Sequence, residues 1–387
     1  MKITVSSQEL NKALQLVSKV LPSNPSMPIL KYFLFEIEGK NVLITATDLE
    51  ITAKIKAPLD DVDENFKVAI EGERLLNLLK SLPDEPITLE VKEAEIDEDL
   101  NVYANSKQVF FTTAKSQYSF LADEADAFPS VQFLSEDEES VSTLTLSYGI
   151  LKRGIQSTFF AILNDTSRPN LNGVLFEIME DEIRFVSTDV QRLVLYKYNL
   201  QTGINGSFIL PSRSAAFLKG LNVSDEEITL VYNRKNAMFK CNEVEVISQL
   251  VDGKFPDYEK VLNFEAPLYA NIDRVDLLDA LKRISIVSDQ SSHYVEMEIQ
   301  GNELVLKGKD IGLLVQGEEH LRAETNIEEK KVGFNGKLLT EMLQNMDTAV
   351  VSMRISENEG LPVKFKPAEN EDENENVEIL QVSMKLE

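Results

Sequence analysis

The chain has 387 residues, of which 43% are hydrophobic, and it carries 39 basic against 65 acidic side chains, a formal net charge of −26. This length corresponds to two or three domains, and the apolar content supports real cores, so a wholly disordered chain is excluded. The single cysteine, Cys241, excludes an internal disulfide and a Cys-x-x-Cys metal site. The sequence has neither the apolar run of a signal peptide nor about 18 consecutive apolar residues, so we expect a cytoplasmic protein that does not span a membrane.

The predicted elements, taken in chain order, repeat three times. Each copy opens with a short strand, and a helix follows whose apolar residues recur at helical spacing. The apolar positions of these three helices are Leu10, Ala13, Leu14 and Val17 in the first copy, Leu151 and Ile155 in the second, and Val275, Leu278 and Leu281 in the third. The repetition therefore predicts three similar units.

Each copy continues with strands, a second helix and further strands. The second strand after the first helix ends in a polar turn, in LITATDLEI (43–51), IRFVSTDVQRLVLY (183–196) and LVLKGKDIGLLVQ (304–316). The predicted helices cover residues 7–20, 71–82, 147–161, 212–221, 273–287 and 336–346. We therefore predict an α+β fold in which each unit holds two short helices among roughly eight strands.

Three segments lie between or outside these elements. An acidic stretch at 124–140 and a stretch with two prolines at 252–267 are predicted as connections. The acidic run at 369–378 is predicted as a solvated loop before the final strand. The expected domains are therefore residues 1–128, 129–256 and 257–387.

The acidity of the chain is unevenly distributed. The predicted helices carry 12 basic and 7 acidic residues, whereas the rest of the chain carries 27 and 58. Lys152, Arg153, Arg213 and Lys219 have no acidic neighbour within their helices. Two interpretations remain open: ordinary solvated helix faces, or a positive helical surface that attracts phosphate on an otherwise negative body.

The sequence offers little catalytic chemistry. His293 and His320 have no cysteine or carboxylate nearby at metal-ligand spacing, so we expect structural or surface roles, no metal and no cofactor. No nucleophile elbow, phosphate-binding loop, zinc-protease or dinucleotide-binding motif is present. Cys241 is predicted to be a buried residue and not a nucleophile. An enzyme is not expected.

Four segments carry a resemblance to a known family. They are SMPILKYFLFEIEGKNVLITATDLEI (26–51), RPNLNGVLFEI (168–178), STDVQRL (187–193) and DGKFPDYEKV (252–261). Together, in this order, they closely resemble the beta subunit of bacterial DNA polymerase III, the sliding clamp. The resemblance implies a non-catalytic processivity factor that forms a head-to-tail homodimeric ring around duplex DNA. The implied partners are the replicative polymerase, the clamp loader, and other replication and repair proteins with clamp-binding peptides.

The resemblance also implies a pocket for partner peptides between the central and third domains. Its residues would be Leu171, Thr188, Val190, Gln191, Arg192, Leu193, Pro256, Lys260, Val261, Asn335, Leu338, Leu380, Gln381, Val382, Ser383 and Met384. The leucines and valines would give apolar depth, and Gln191 and Arg192 would orient a peptide backbone. The chain has Val190-Gln191 where the family often has Gly-His, and Val382-Ser383 in place of Met-Pro, so a different peptide preference is expected.

Further sites follow from the resemblance and from the helix charges. The expected DNA-facing residues are Asn24, Arg74, Lys152, Arg153, Arg168, Asn170, Arg213 and Lys219, with Asn24 replacing an arginine common in the family. The expected dimer interface joins Tyr118 and Phe120 of one chain to Ile286 and Val287 of the other.

Two other functions remain as alternatives. A repeat-built scaffold could bind only proteins, because its acidity would repel nucleic acid. A hydrolase with an unrecognised site is the third possibility. A comparison of circular with linear DNA distinguishes the clamp from the protein-binding scaffold, because only a closed ring is retained on a circle by topology.

Overall fold

A computed structural model describes residues 1–93, 107–131, 133–134, 141–165, 167–222, 226–358, 360–370 and 372–386. By their internal contacts these residues form two compact units. The first unit comprises Met1–Tyr148 and Gly220–Leu250, and the second comprises Gly149–Lys219 and Val251–Glu387. Each unit is built on one antiparallel sheet with helices packed against it.

The helices of the described residues lie close to the predicted ones. They are α1 (Ser7–Val17), α2 (Gly72–Ser81), α3 (Tyr148–Phe159), α4 (Ser212–Lys219), α5 (Glu259–Leu262), α6 (Arg274–Val287) and α7 (Gly336–Asn345). All six predicted helices are present. The seventh, α5, lies in the 252–267 segment, which was predicted to be an irregular connection. That prediction missed it because a four-residue helix is too short to show an apolar period.

The strands follow the predicted order. They are β1 (Lys2–Ser6), β2 (Tyr32–Glu38), β3 (Asn41–Thr47), β4 (Ile51–Pro58), β5 (Asp61–Val62), β6 (Lys67–Glu71), β7 (Pro86–Glu93), β8 (Lys107–Thr112), β9 (Gln117–Asp123), β10 (Ser142–Ser147), β11 (Gly173–Ile178), β12 (Glu182–Thr188), β13 (Arg192–Asn199), β14 (Gly206–Pro211), β15 (Glu227–Tyr232), β16 (Asn236–Cys241), β17 (Val244–Gln249), β18 (Leu268–Asp273), β19 (Tyr294–Gln300), β20 (Glu303–Asp310), β21 (Val315–Thr325), β22 (Glu329–Asn335), β23 (Val350–Ile355), β24 (Val363–Pro367) and β25 (Glu375–Gln381).

Polar side chains at the strand ends start the helices. The Ser6 hydroxyl accepts from the Glu9 N–H ahead of α1, and the Asn335 side-chain oxygen Oδ1 accepts from the Leu338 N–H ahead of α7. The apolar face of α1 is buried as predicted, but Val275 in the first turn of α6 is 51% exposed, so its predicted core position was wrong. The true core position is its neighbour two residues on, Leu277.

The sheet of the first unit has the strand order β10-β15-β16-β17-β4-β3-β2-β6-β9-β8-β7-β1-β5. Within this sheet, β17 pairs antiparallel with β4, with Ser248 opposite Ile51. This pairing connects the group β10, β15, β16 and β17 to the group β1–β9. A continuous sheet therefore connects the start of the chain to the segment after α4.

The sheet of the second unit has the order β14-β11-β12-β13-β25-β24-β23-β18-β21-β20-β19-β22. Here β13 pairs with the last strand, β25, with Arg192 opposite Gln381. Helix α3 packs closely on this sheet, because a Cβ at Gly154 would come within 2.5 Å of the Phe185 ring. In each unit, therefore, one antiparallel strand pair connects two groups of strands: β17 with β4 in the first unit and β13 with β25 in the second.

The acidic run at 369–378 differs from the prediction. The loop was expected to extend to residue 378, but residues 375–378 already belong to β25. The Glu375 carboxylate pairs with Arg153 at 3.0 Å, and the Glu378 carboxylate with Lys364 at 2.9 Å. Arg153 lies 222 residues from Glu375 in the chain and Lys364 lies on the neighbouring strand β24, so the composition of the run itself could not reveal either pair. Residue 371, and residues 132 and 135–140 of the predicted 124–140 connection, lie outside the described residues.

Candidate functional site

The expected peptide pocket has an apolar floor within the second unit. Leu171, Leu193 and Leu380 belong to one buried cluster. Phe255 and Tyr258, just ahead of α5, join the same cluster. The sequence prediction did not include these two aromatic residues as pocket residues, although both lie in the DGKFPDY segment that carried the family resemblance.

Three valines lie exposed among the expected pocket residues. Val190, Val261 and Val382 are 56%, 51% and 52% exposed. The Val382 N–H donates to the Gln191 carbonyl oxygen at 2.9 Å, which holds the C-terminal segment against the turn after β12. Further along, the Met384 N–H donates to the Gly333 carbonyl oxygen at 2.7 Å. An exposed apolar rim of this kind is suited to burial against a partner.

The turn between β12 and β13 holds Val190 in a strained backbone conformation. The Asp189 carboxylate accepts from the backbone N–H of Gln191 and of Arg192, and the Thr188 hydroxyl donates to the Arg192 carbonyl oxygen. Val190 has φ 75°, a conformation that is strongly unfavourable for a β-branched residue. The turn therefore keeps a valine side chain exposed at a backbone position suited to glycine.

Arg192 differs in role from the expectation that it orients a bound peptide. Its side chain is 4% exposed, and its guanidinium donates to Asp189 at 2.9 Å and Glu341 at 2.9 Å. It also donates to the carbonyl oxygens of Phe160 at 3.1 Å and Leu338 at 3.2 Å. Because these donors are used within the chain, Arg192 fastens the turn to α7 and the end of α3. Of the two residues expected to orient a peptide, Gln191 is the exposed one.

A polar network fixes the short helix α5 at the side of the pocket. Arg184 donates to the Tyr258 hydroxyl at 3.2 Å and to the Glu259 carboxylate at 2.6 Å. The Tyr258 hydroxyl donates in turn to the Glu177 carboxylate, and burial raises the pKa of Tyr258. Lys260 remains exposed and pairs with Asp257 at 2.7 Å. The network therefore fixes the position of Val261 on α5.

The remaining expected pocket residues are partly brought together. The Gln381 side-chain amide donates to the Asn335 carbonyl oxygen at 3.4 Å, and the Asn335 side-chain amide donates to the Ser292 carbonyl oxygen at 3.3 Å. Leu338 is half-buried and Pro256 is exposed. Thr188 is buried in the turn, and Ser383 and Met384 are half-buried.

Two of the expected DNA-facing cations are engaged within the chain. Arg153 pairs with Asp347 at 2.6 Å and with Glu375 at 3.0 Å. The Lys219 ammonium lies 3.9 Å from the centroid of the Phe159 ring, and burial lowers its pKa. The phosphate-attracting charge of α3 and α4 is therefore smaller than the sequence count indicated.

The other expected DNA-facing residues lie near the surface. Asn24, Arg74, Lys152, Arg168 and Arg213 are exposed. Asn170 is half-buried, and its side-chain amide donates to the Lys254 carbonyl oxygen at 3.0 Å. Asn170 thus also ties the segment before β11 to the segment before α5.

The expected dimer residues lie at a strand edge and a helix end. Tyr118 is 37% exposed on β9, and the Phe120 ring packs edge-on to Phe111 at 5.3 Å between centroids. Ile286, in the last turn of α6, is 77% exposed, and Val287 beside it is half-buried. These side chains are available for contact with a second subunit.

His320 and Cys241 are two side chains considered for chemistry whose pKa values are shifted. His320 accepts or donates a 2.8 Å hydrogen bond with Glu303, which raises the pKa of His320. Cys241 is buried, as predicted, and burial raises the pKa of its thiol. Within the described ranges no group of three His, Cys, Asp or Glu side chains is arranged to hold a metal ion. No helix among the described residues is long and apolar enough to cross a membrane.

Comparison with known families covers nearly the whole chain. The N-terminal domain of the DNA polymerase III beta subunit matches residues 1–129, the central domain matches 145–257, and the C-terminal domain matches 260–382. The fold is thus that of a three-domain sliding clamp. The chain belongs to the family of DNA polymerase III beta subunits, and its function is that of a beta sliding clamp.

Individual relatives agree with this assignment. The beta sliding clamp of Haemophilus influenzae is 27% identical over 359 residues, covering 92% of this chain and 93% of that protein. The beta sliding clamp of Pseudomonas aeruginosa is 26% identical over 375 residues, covering 96% and 97%. A crystal structure of the Pseudomonas aeruginosa DnaN sliding clamp bound to griselimycin superposes with a TM-score of 0.90, at 26% identity, and covers 100% of both chains.

Proposed function

We propose that the protein acts as a head-to-tail homodimeric ring that encircles duplex DNA and tethers the replicative polymerase. The observation that carries the proposal is the threefold repetition of one domain. Among the described residues, β9 of the first domain pairs with β6 only through Ala122 and Asp123, and β21 of the third domain pairs with β18 only through residues 323–325, so each keeps an open strand edge. Two such edges with exposed apolar neighbours favour joining of two copies. The domains are assigned as 1–128, 129–256 and 257–387.

The ring works without catalysis, as a cytoplasmic accessory subunit. Retention on DNA follows from topology, so no base-reading element is needed. Arg74, Lys152, Arg168 and Arg213 contribute exposed cations for phosphate contact. Few contacts of this kind permit sliding, because each neutralised phosphate adds affinity and salt dependence.

Partner proteins dock a linear peptide on the pocket of the second unit. The leucine floor and the exposed valines supply the apolar contact, and Gln191 at the turn supplies a polar one. Its ligands are segments of the polymerase, the clamp loader and other replication and repair proteins. Deleting residues 382–387 removes Val382 and the strand contact at Met384, so peptide affinity should fall about thirtyfold or more. Titration calorimetry measures the affinity, and light scattering should show an unchanged dimer.

The encircling mechanism is tested by loading the protein onto circular DNA and then cutting the circle once. Labelled protein is loaded onto nicked circular DNA by an ATP-driven clamp loader, excess protein is removed, and a restriction enzyme then linearises the circle. Prompt release on cutting is the expected result, since a ring slides off an end. Protein that stays bound equally to cut and uncut DNA would refute encirclement. Absence of any DNA retention would favour a scaffold that binds only proteins.

A further inference from the structure

The polar turn of the first domain is built like the turn beside the proposed peptide pocket. In the turn between β3 and β4, Leu49 has φ 79° and is 41% exposed. The Thr47 hydroxyl accepts from the Leu49 N–H at 3.0 Å, and the Asp48 carboxylate accepts from the Glu50 N–H at 2.9 Å. Equivalent bonds hold Val190 in the turn between β12 and β13. Each turn therefore exposes an aliphatic side chain at a backbone position suited to glycine.

A strand end contacts the turn in the same way in both units. The Gln249 N–H donates to the Glu50 carbonyl oxygen at 2.8 Å, which repeats the bond that holds Val382 against its turn. Behind the turn, Thr52 of β4 lies opposite Ile247 of β17, as two leucines lie opposite each other in the pairing of β13 with β25. The backbone contacts that position the proposed pocket of the second unit therefore occur again in the first unit.

The segment after β9 supplies a further wall in the first unit. Phe128 and Phe255 are each 6% exposed, and a proline follows each of them in the sequence. Three residues after these phenylalanines, Val131 packs against the apolar cluster that contains Ile247, and Tyr258 belongs to the cluster that forms the floor of the proposed pocket. The two connections between domains therefore make similar apolar contacts.

A depression of about 280 Å³ lies between the turn, the strand end and this segment of the first unit. Its lining includes Leu49, Glu50, Thr52, Val131, Ile247 and Gln249. Three of these side chains are aliphatic. Thr52 takes the position of Leu193, and Gln249 takes the position of a valine, so this first-unit depression is more polar than the proposed pocket of the second unit. Among the described residues that line it, Glu50 is the one with a charged side chain.

We propose that the first-unit depression is a further docking site for linear peptides, and that its ligand carries an aliphatic side chain next to a basic one. This inference rests on the proposed docking of partner peptides in the second unit. The aliphatic side chain packs between Leu49 and Ile247, and the basic side chain pairs with the Glu50 carboxylate. The equivalent residue of the second unit, Gln191, has no charge, so the residue beside the aliphatic anchor decides which site a peptide prefers. Duplex DNA is not expected here, because Glu50 repels phosphate.

Peptide binding to a protein with a weakened second-unit pocket tests the proposal. The probes are two fluorescein-labelled octapeptides, one with two leucines followed by two arginines and one with glutamates in place of the arginines. The protein carries Val190→Ser and Val382→Ser, which remove two exposed valines of that pocket. In fluorescence anisotropy the arginine peptide should bind about three times as tightly as the glutamate peptide, because it gains an exposed ion pair. Adding Leu49→Ser should weaken its binding about tenfold, because burial of a leucine side chain is lost.

A charge reversal and a matched control complete the test. Glu50→Lys should make the glutamate peptide the tighter ligand, a gain that no loss of folding can produce. Val275→Ser, at an exposed apolar position of α6, should leave both affinities unchanged. Equal affinity of the two peptides, or binding that Leu49→Ser leaves unaltered, would overturn the first-unit site. A polymerase-derived peptide tests the second-unit pocket separately: if Val190→Ser with Val382→Ser does not weaken its binding, the proposed pocket is refuted, whereas failure of the arginine peptide alone contradicts only the first-unit site.

Discussion

Arg192 is the residue whose removal should most disturb the pocket without touching a bound peptide. Arg192→Leu deletes a buried guanidinium that is bonded to two carboxylates and two carbonyl oxygens. Asp189 is 15% exposed and loses its ion pair, whereas Glu341 is 48% exposed and returns to water at little cost. Breaking a buried pair costs roughly 3–5 kcal/mol. The free energy of unfolding of the second unit should therefore fall by about 3 kcal/mol, the low end of this range.

Urea unfolding followed by circular dichroism measures the loss, and hydrogen exchange of the β13 amides locates it. The matched control is Lys282→Leu, which removes the 2.9 Å pair with Asp279 at a site where both side chains are 50% exposed. That change should cost much less, because water screens an exposed pair. A loss in Arg192→Leu no larger than in the control would refute the fastening role. Arg192→Lys should lie between the two, because an ammonium cannot reproduce the planar fork.

Three further outcomes are expected. Val190→Gly should raise the free energy of unfolding by about 1 kcal/mol in urea titrations, because it relieves the positive φ of a half-exposed valine; a loss of stability would contradict the strain. Arg168→Ala, at an exposed cation, should lower the slope of log K against log salt for linear duplex by about 0.9, whereas Arg153→Ala should leave the slope unchanged because two carboxylates already offset its charge. Glu303→Gln should lower the pKa of His320, followed by NMR. Since that pKa is raised in the folded chain, the pair stabilises below the ordinary histidine pKa and this stabilisation disappears as pH rises through the raised value.

The elements were predictable where local pattern and tertiary contact agree. The helix α1 is an example, because Leu10, Leu14 and Val17 form one apolar stripe and all three are buried. The polar turns are another, since Thr188 and Asp189 bond within five residues of themselves. Such features need no knowledge of the rest of the chain, so one sequence suffices to find them.

The fastening of the pocket was not predictable in the same way. Arg192 and Glu341 are 149 residues apart, and the local sequence around either residue does not predict that they pair. Arg153 presents the same problem, because its partners Asp347 and Glu375 lie near the other end of the chain. Composition within a helix identifies a cation but not whether its charge is offset. The pairing of these two guanidinium groups within the chain therefore emerges only from the structure.

The offset charges bear on how a ring of this kind would hold DNA. The helix charges left open a positive helical surface, yet Arg153 is paired and Lys219 lies over an aromatic ring. Each phosphate contact that is lost in this way weakens equilibrium binding and reduces its salt dependence. A protein that relied on affinity would be impaired by such pairing. A protein retained as a closed ring is not impaired by such pairing, because its lifetime on a circle depends on the contact between copies. The strength of the contact between copies then matters more to retention than any single cation.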